Sequence, residues 1–336
     1  MATRWGIFSA GKISGDFTAA LLSQCPDEHQ VIAIAARSQE KAQAFADRFG
    51  IKNAYGSYSE LVQNPDIDIV YIGSIHPEHH KLSMLCLNAG KHVLCEKPVT
   101  MTVAAAKEVF ALAKEKKLFF MEGFWSRMFP VYHQIRRELD SGSLGDIKMA
   151  TAKFCVDNYS VDRMNQKAQG GGGILDLGCY VVMFADFVFG GKPEKISVEG
   201  TVSESGVDTG AAITLRYSGG RIASLLYNIT TSHEDNAATI LGTKGSIRVE
   251  PNFWAPVKMT SPMGSFEFSL PKGKFDTYYG AQSNGFQYEQ QCVRECLQNG
   301  LLECPLVSHE SSLNIMGVIE TVLNELGVTY DFPYTV

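Results

Sequence analysis

Over residues 1–122 the chain alternates short apolar runs with segments of helical period. The apolar runs lie at residues 5–9, 30–36, 67–73, 92–96 and 118–121. Between the second and third runs, apolar residues stand at positions 42, 45, 46 and 49, a spacing typical of an amphipathic helix. Repeated strand–helix units of this length predict a doubly wound parallel sheet with right-handed crossovers.

The fourth apolar run ends in Glu96-Lys97-Pro98. Ligands of parallel sheets bind outside the carboxyl ends of the strands, so both charged side chains are expected to point at a ligand. Pro98 disfavours helical dihedral angles at Lys97 and thereby restricts where its ammonium group emerges. A surface ion pair before a helix is the alternative interpretation of this tripeptide.

The first strand–helix turn covers residues 9–14. A Rossmann fingerprint has the pattern G-x-G-x-x-G, and this chain keeps only the central Gly11, with Ser9 and Ser14 at the outer positions. The central glycine lets the backbone approach a pyrophosphate that rests on the helix N-terminus. An ordinary structural turn would account for so reduced a pattern equally well. The candidate cofactor contacts in this turn are Ser9, Gly11, Lys12 and Ile13.

After the second run, Arg37 stands where an NAD-dependent enzyme carries an acidic residue for the ribose hydroxyls. Its guanidinium group is a planar fork of donors suited to a phosphate, and Lys41 follows one helical turn later. A solvated helix start is the alternative, but cations oppose the dipole at a helix N-terminus. Arg37, Ser38 and Lys41 therefore indicate a site for the 2′-phosphate of NADP.

The loop after the third run carries Ser74 and three histidines, of which His76 and His79 are expected to border the cofactor. The histidine spacing lacks the carboxylate or cysteine partner of a metal site. The eight cysteines are spread along the chain without a CxxC pair. Cys292 and Cys296, four apart on a predicted helix, are interpreted as packing residues, so no metal is expected.

Four glycines at residues 170–173 precede an apolar segment. Such a run cannot form a helix interior, so a helix is predicted to begin near Ile174. Asp176 and Tyr180 are four apart and would share one face of its first turns. A capping aspartate beside a core tyrosine is the alternative. The glycine run and the Glu96-Lys97-Pro98 element together favour a polar site.

Beyond Gly190 the apolar residues alternate in short runs between Gly, Pro and Ser turns, which predicts one large, mainly antiparallel open sheet closed by helices at 284–299 and 311–326. The predicted fold class is α/β: a doubly wound Rossmann domain over 1–122 and an α+β substrate and dimerisation domain over 123–336. The terminal helices can pack back on the first domain. A second subunit would cover the open face of the sheet, which predicts a homodimer.

Aromatic side chains in four places could stack on a sugar face or an arene in a substrate pocket. Each is also a common core residue type. The candidates are Trp125, Phe154, Trp254 and Tyr279.

The net charge is −6 and no run of basic residues occurs, so nucleic acid and anionic membrane are not expected partners. A strand begins at Trp5, which leaves no room for a signal peptide, and no apolar stretch approaches the ~20 residues that span a bilayer. Dispersed cysteines favour a reducing compartment. We therefore expect a cytoplasmic protein without a membrane segment.

Three motifs occur in order along the chain: residues 9–14, Glu96-Lys97-Pro98, and the glycine run through Tyr180. With a Rossmann half before a β-rich half, the chain resembles the glucose–fructose oxidoreductase/inositol dehydrogenase superfamily over its whole length. Within the superfamily, the sequence segments 94–98, 175–178 and 192–198 resemble those of the subgroup that oxidises aromatic trans-dihydrodiols and D-xylose with NADP. The resemblance implies that Lys97 and Tyr180 are catalytic and that Asp176 binds a substrate hydroxyl.

The implied reaction is reversible hydride transfer between a carbinol carbon of a small-molecule diol and NADP. Tyr180 is the candidate base, Lys97 would lower its pKa and bind the reacting oxygen, and Asp176 would orient a neighbouring hydroxyl. Two alternatives stay open at this point: a cofactor-retaining NAD(P)-dependent glycosidase, and a non-catalytic NADP-sensing protein of the same fold.

Overall fold

A computed structural model of the protein describes residues 1–332. The first sheet has six parallel strands, and its order β3-β2-β1-β4-β5-β6 confirms the predicted doubly wound arrangement. Its strands are β1 (Thr3–Phe8), β2 (His29–Ala35), β3 (Asn53–Tyr55), β4 (Ile69–Ile72), β5 (His92–Glu96) and β6 (Phe120–Gly123). The short β3 is the one strand of this sheet that the sequence pattern missed.

The second sheet has eight strands in the order β14-β13-β12-β11-β7-β10-β9-β8. Only the neighbours β7 and β10 run parallel, which confirms a large and mainly antiparallel sheet. Its strands are β7 (Ile147–Cys155), β8 (Lys195–Val202), β9 (Asp208–Tyr217), β10 (Arg221–Asn228), β11 (Ala238–Gly242), β12 (Gly245–Val249), β13 (Lys258–Ser261) and β14 (Gly264–Glu267).

Side-chain caps explain several helix starts. Ser38 accepts a hydrogen bond from the backbone nitrogen of Lys41, and Thr102 accepts one from Ala105. The α-helices are α1 (Lys12–Ser23), α2 (Gln39–Phe49), α3 (Tyr58–Val62), α4 (His79–Asn88), α5 (Val103–Lys116), α6 (Pro130–Asp140), α7 (Asp162–Asn165), α8 (Cys179–Phe189), α9 (Phe286–Gln298) and α10 (His309–Glu325).

The chain separates into two compact units. Among the described residues, the first contains residues 1–125 and 270–309, and the second contains residues 126–269 and 310–332. The segment 270–309, which includes α9, therefore clusters with the parallel sheet rather than with the residues that precede it. Within the first unit, Phe17 of α1 stacks on Tyr71 of β4 with ring centroids 3.6 Å apart, so that the helix packs closely on the sheet.

The stretch Lys167–Phe189 is long and apolar enough to cross a membrane by length and composition, with a mean hydropathy of 1.7. The expectation that no stretch approaches this length was wrong, because the glycine run and the apolar helix after it count as one segment. Within the protein, 89% of the most apolar 18-residue part of this stretch is buried. A core helix satisfies the same criteria, so the segment is weak evidence for a membrane span.

Candidate active site

The carboxyl ends of four neighbouring parallel strands carry the candidate cofactor residues of the first unit. Ser9 follows β1, Arg37 follows β2, Ser74 follows β4 and Lys97 follows β5. Because carboxyl ends of parallel strands meet at one sheet edge, these four residues lie along the same edge. The order reverses between β1 and β4, which is the point where dinucleotides bind in sheets of this kind.

The turn after β1 is built to approach a ligand despite its missing glycines. Ser9 takes the left-handed conformation that glycine usually supplies, with a φ of 76°. The hydroxyl of Ser14 shares its hydrogen between the carbonyl oxygens of Phe8 at 3.3 Å and Gly73 at 3.4 Å. A Cβ added at Gly11 would come no closer than 3.5 Å to Ser9 and 3.8 Å to the Gly73 oxygen. A methyl group could therefore be added at Gly11 without a clash, so this glycine is not required by packing within the protein.

A second segment of the first unit closes over this turn. The buried carboxylate of Asp16 accepts hydrogen bonds from the backbone nitrogens of Tyr278 at 2.6 Å and Tyr279 at 2.9 Å. The ammonium group of Lys12 lies 3.8 Å from the ring centroid of Tyr278 and donates to its hydroxyl. Sequence analysis missed this contact, because Asp16 and Tyr278 are 262 residues apart.

The two cations predicted for a 2′-phosphate are both exposed. Helix α2 begins after its cap Ser38, so Arg37 lies in the loop and not on one helical turn with Lys41, as the spacing had suggested. Burial raises the pKa of Tyr58, and the neighbouring guanidinium of Arg37 opposes that shift. Arg37, which follows β2, is therefore close enough to Tyr58 for its charge to act on that phenol.

His79 connects the ends of β4 and β5. Its Nδ1 lies 2.7 Å from the Pro98 oxygen and its Nε2 lies 3.1 Å from the Ser74 oxygen. The ring is completely buried, and burial lowers its pKa against the opposing effect of the two carbonyl contacts. His76 is also buried, with its ring centroid 5.8 Å from that of His79. His79 therefore stabilises the carboxyl-end edge of the parallel sheet through its contacts with the backbone carbonyl groups of Ser74 and Pro98.

Glu96 and Lys97 differ in burial, because Glu96 is buried and Lys97 is partly exposed. The carboxylate of Glu96 is 6% exposed and accepts hydrogen bonds from the Tyr71 hydroxyl at 2.7 Å and from the Lys97 backbone nitrogen at 3.3 Å. The Glu96 carboxylate thus has partners within the first unit, and the orientation of Glu96 and Lys97 toward a ligand stays a prediction. Glu122 of β6 accepts from the Val99 nitrogen at 2.7 Å. Two buried carboxylates thus hold the backbone around Lys97 and the cis Lys97–Pro98 peptide.

In the second unit, the glycine run is fixed by Asp208 at the start of β9. Its fully buried carboxylate accepts hydrogen bonds from the Ile174 nitrogen at 2.6 Å and the Tyr227 hydroxyl at 2.7 Å. A Cβ at Gly173 would lie 2.6 Å from the Tyr227 ring. Asp208 was not predicted from the sequence, since its partner Ile174 is 34 residues away.

Asp176 lies in a π-helical turn, Ile174–Gly178, that leads into α8. This departs from the α-helical spacing assumed for Asp176 and Tyr180, because a π-turn bonds residues five apart. Arg163 makes a two-pronged ion pair with Asp176, with nitrogen–oxygen distances of 3.0 and 3.1 Å. Asp176 is 6% exposed and the Arg163 side chain 36%. Arg163 is a functional candidate that sequence analysis missed.

The structure brings two of the four candidate aromatics to Tyr180. The Phe154 ring meets the Tyr180 ring edge to face at 5.7 Å and stacks on Trp254 at 3.7 Å. The other two belong to the first unit: Trp125 stacks on Phe286 at 4.4 Å, and Tyr279 is about half exposed. Lys97 likewise belongs to the first unit, and Asp176 and Tyr180 belong to the second.

Two family descriptions match this chain. "Oxidoreductase family, NAD-binding Rossmann fold" matches residues 3–124, and "GFO/IDH/MocA C-terminal domain" matches residues 132–248. Among curated relatives, the trans-1,2-dihydrobenzene-1,2-diol dehydrogenase of Xenopus tropicalis is 44% identical over 98% of this chain and 100% of the relative. The enzyme of the same name from Homo sapiens is 42% identical over 98% of each chain.

Solved structures with this architecture include a 3-ketoreductase from Actinomadura kijaniata in complex with NADP and TDP-benzene. It is 25% identical, with a TM-score of 0.80 over 96% of this chain and 98% of that one. An aldose-aldose oxidoreductase from Caulobacter crescentus, at 21% identity and a TM-score of 0.82 over 97% of this chain and 98% of that one, shares the fold.

Proposed function

The chain is an oxidoreductase of the GFO/IDH/MocA family, and on that premise we propose that it oxidises a vicinal diol with NADP⁺. The proposed substrates are trans-dihydrodiols of aromatic hydrocarbons, D-xylose and related aldoses. The observation that carries the proposal is the full-length identity of 44% with a trans-dihydrodiol dehydrogenase. The aromatic row of Phe154 and Trp254 beside Tyr180 supports it, because both an arene and a sugar face stack on aromatic rings.

The proposed chemistry divides between three side chains of this protein. When bound, the oxidised nicotinamide would accept a hydride from the carbinol carbon. Tyr180 takes the hydroxyl proton, for which its phenol needs a pKa below the ordinary value of about 10. The Lys97 ammonium would supply a positive charge that favours the phenolate and would donate to the reacting oxygen. Asp176, oriented by Arg163, accepts from the neighbouring hydroxyl.

We propose NADP rather than NAD as the cofactor because of Arg37 and Lys41. Both side chains are exposed at the end of β2 and the start of α2, where the ribose of a dinucleotide would lie. Neither position offers the acidic side chain that would accept from a ribose 2′-hydroxyl. The other proposed contacts are Ser9, Gly11, Lys12, Ile13, Ser38, Ser74 and His76, with His79 and Glu96 acting through the backbone.

We further propose a homodimer formed through the open face of the second sheet, in the cytoplasm and away from membranes. Large apolar side chains on β8, β10 and β11 are more than a third exposed, and a second subunit would cover them. They are Val202, Ile222, Leu226 and Leu241.

The first test is nicotinamide absorbance during turnover of trans-benzene dihydrodiol, D-xylose, D-glucose and myo-inositol, each with NADP⁺ and with NAD⁺. Reduction of NADP⁺ by the dihydrodiol or xylose, with NAD⁺ far slower, is expected. Activity with inositol alone would overturn the substrate class, and equal rates with NAD⁺ would overturn the role of Arg37 and Lys41. Glycoside hydrolysis without net NADP⁺ reduction would replace the dehydrogenase by the retaining glycosidase.

Two substitutions test the catalytic roles. Lys97→Met and Tyr180→Phe should each lower kcat by about 100-fold or more, because each removes a group that acts on the reacting oxygen. Binding of NADPH, followed by its fluorescence, should stay within about threefold of wild type. Phe154→Leu is the control, since it alters packing beside Tyr180 without removing a proton-transfer group. Wild-type turnover in both variants would contradict the scheme.

A further inference from the structure

We propose that Cys292, Cys296 and Cys304 of the first unit bind a soft divalent metal ion of the Zn²⁺ class at a site separate from the diol chemistry. The three Sγ atoms all lie within 4.8 Å of one another. The Sγ atoms of Cys292 and Cys304 are 3.5 Å apart. Cys296 and Cys304 are buried and Cys292 is partly exposed, which leaves one side open for entry of an ion.

The sulfur separations match one shared ion. Two thiolates bound to the same zinc at about 2.3 Å each are at most about 4.6 Å apart, and about 3.8 Å apart in a tetrahedral site. The Cys292–Cys304 pair is already near this separation, and the other pairs, which lie within 4.8 Å, need to change by at most about 1 Å to close around an ion. A disulfide needs sulfurs about 2.05 Å apart and would leave the third thiol without a role. The three-way proximity favours a metal over a disulfide.

The backbone fixes all three ligands on rigid elements. Cys292 and Cys296 are four apart on α9 and so lie on one face of it. After α9 the chain reverses at Gly300, which has a φ of 64°. The carbonyl oxygen of Leu302 then accepts from the Phe120 nitrogen at 3.0 Å, which anchors the returning segment on β6. Cys304 is thereby carried back to the helix, a contact that sequence spacing did not predict.

Glu289 is a second observation that points to a cation. It lies three residues before Cys292 on the same face of α9 and is completely buried. Neither of its carboxyl oxygens has a hydrogen-bond partner among residues 1–332. A buried acid without a partner is costly, and direct contact with a metal ion would offset that cost. The charge of the three thiolates also favours a divalent ion, because it leaves less net negative charge in this buried site than a monovalent ion would.

The test is a Co²⁺ titration of the full chain after reduction and treatment with a chelator. Sulfur-to-cobalt charge-transfer bands are expected to saturate at one equivalent per chain and to disappear when Zn²⁺ is added. Cys292→Ser should weaken Co²⁺ binding by at least about tenfold. Cys155→Ser, which changes a similarly half-buried cysteine outside the cluster, should leave the titration unchanged.

A second measurement does not depend on any variant. Mass spectrometry should show that iodoacetamide modifies Cys292 in the metal-free protein and that Zn²⁺ protects it. Absence of charge-transfer bands in the wild type would overturn the proposal. So would equal Co²⁺ affinity in wild type and Cys292→Ser, or a Cys292–Cys304 disulfide whose reduction restores no metal binding.

Discussion

Two glycine-dependent turns, residues 9–14 of the first unit and 170–173 of the second, use glycine for opposite reasons. A side chain at Gly11 would meet nothing closer than 3.5 Å. At Gly171 and Gly173 it would meet the protein itself, at 2.7 Å from the Met164 oxygen and 2.6 Å from the Tyr227 ring. Glycine at the first turn leaves room for a ligand, whereas glycine at the second lets the protein pack against its own backbone.

The difference extends to how each turn is held. Around Gly11 the turn is held by the hydroxyl of Ser14, which donates to the carbonyl oxygens of Phe8 and Gly73, and the left-handed residue is Ser9, with a φ of 76°. The second turn depends on a buried acid, Asp208, which binds both the backbone of Ile174 and the hydroxyl of Tyr227. Changes at the first turn should therefore affect ligand binding, and changes at the second should affect stability.

The largest effect is expected for Gly173→Ala. Its Cβ would overlap the Tyr227 ring, so the free energy of unfolding should fall by about 3 kcal/mol, with loss of turnover. Chemical denaturation followed by circular dichroism measures the change. Gly317→Ala is the control, because that helical glycine has nothing within 4 Å of an added Cβ. Equal stability of the two variants would contradict the packing role assigned to Gly173.

Sequence patterns predicted the elements because strand and helix signals are local. The parallel sheet, the antiparallel sheet and the superfamily were all confirmed. The supports of the site were missed, because Asp208 and Arg163 reach their partners through the fold rather than through spacing. The approach of Cys304 to the cysteines of α9 was missed for the same reason. The hydrogen bond between Glu96 and Tyr71 was also not predicted, since the two residues are 25 apart in the sequence.

A smaller effect is expected for Gly11→Ala, on ligand binding rather than on stability. The backbone there has a φ of −82°, which alanine adopts readily, so the free energy of unfolding should change by less than about 1 kcal/mol. NADPH affinity should fall about fivefold, because the added methyl group occupies the space proposed for the pyrophosphate. Isothermal titration calorimetry measures the affinity. Unchanged NADPH affinity together with a loss of stability would mean that Gly11, like Gly173, is required for packing within the protein.

The smallest effect concerns pH. Burial raises the pKa of Asp208 above its ordinary value of 3.8, against the opposing hydrogen bonds from Tyr227 and Ile174. Between the unfolded and the folded pKa the native state binds more protons than the unfolded state. Stability contributed by this group is therefore greatest below pH 3.8 and declines as pH rises through the folded pKa.

Asp208→Asn removes this titratable group. The unfolding free energy of the wild type minus that of the variant should therefore decline as pH rises from about 3.8 through the raised pKa, and should then stay constant. Urea denaturation at a series of pH values measures the difference. Gly11→Ala should keep the wild-type pH slope, because its turn contains no buried acid whose pKa it would alter. A difference that rises with pH would mean that hydrogen bonding outweighs burial at Asp208, and that the second turn is held by a stabilised carboxylate.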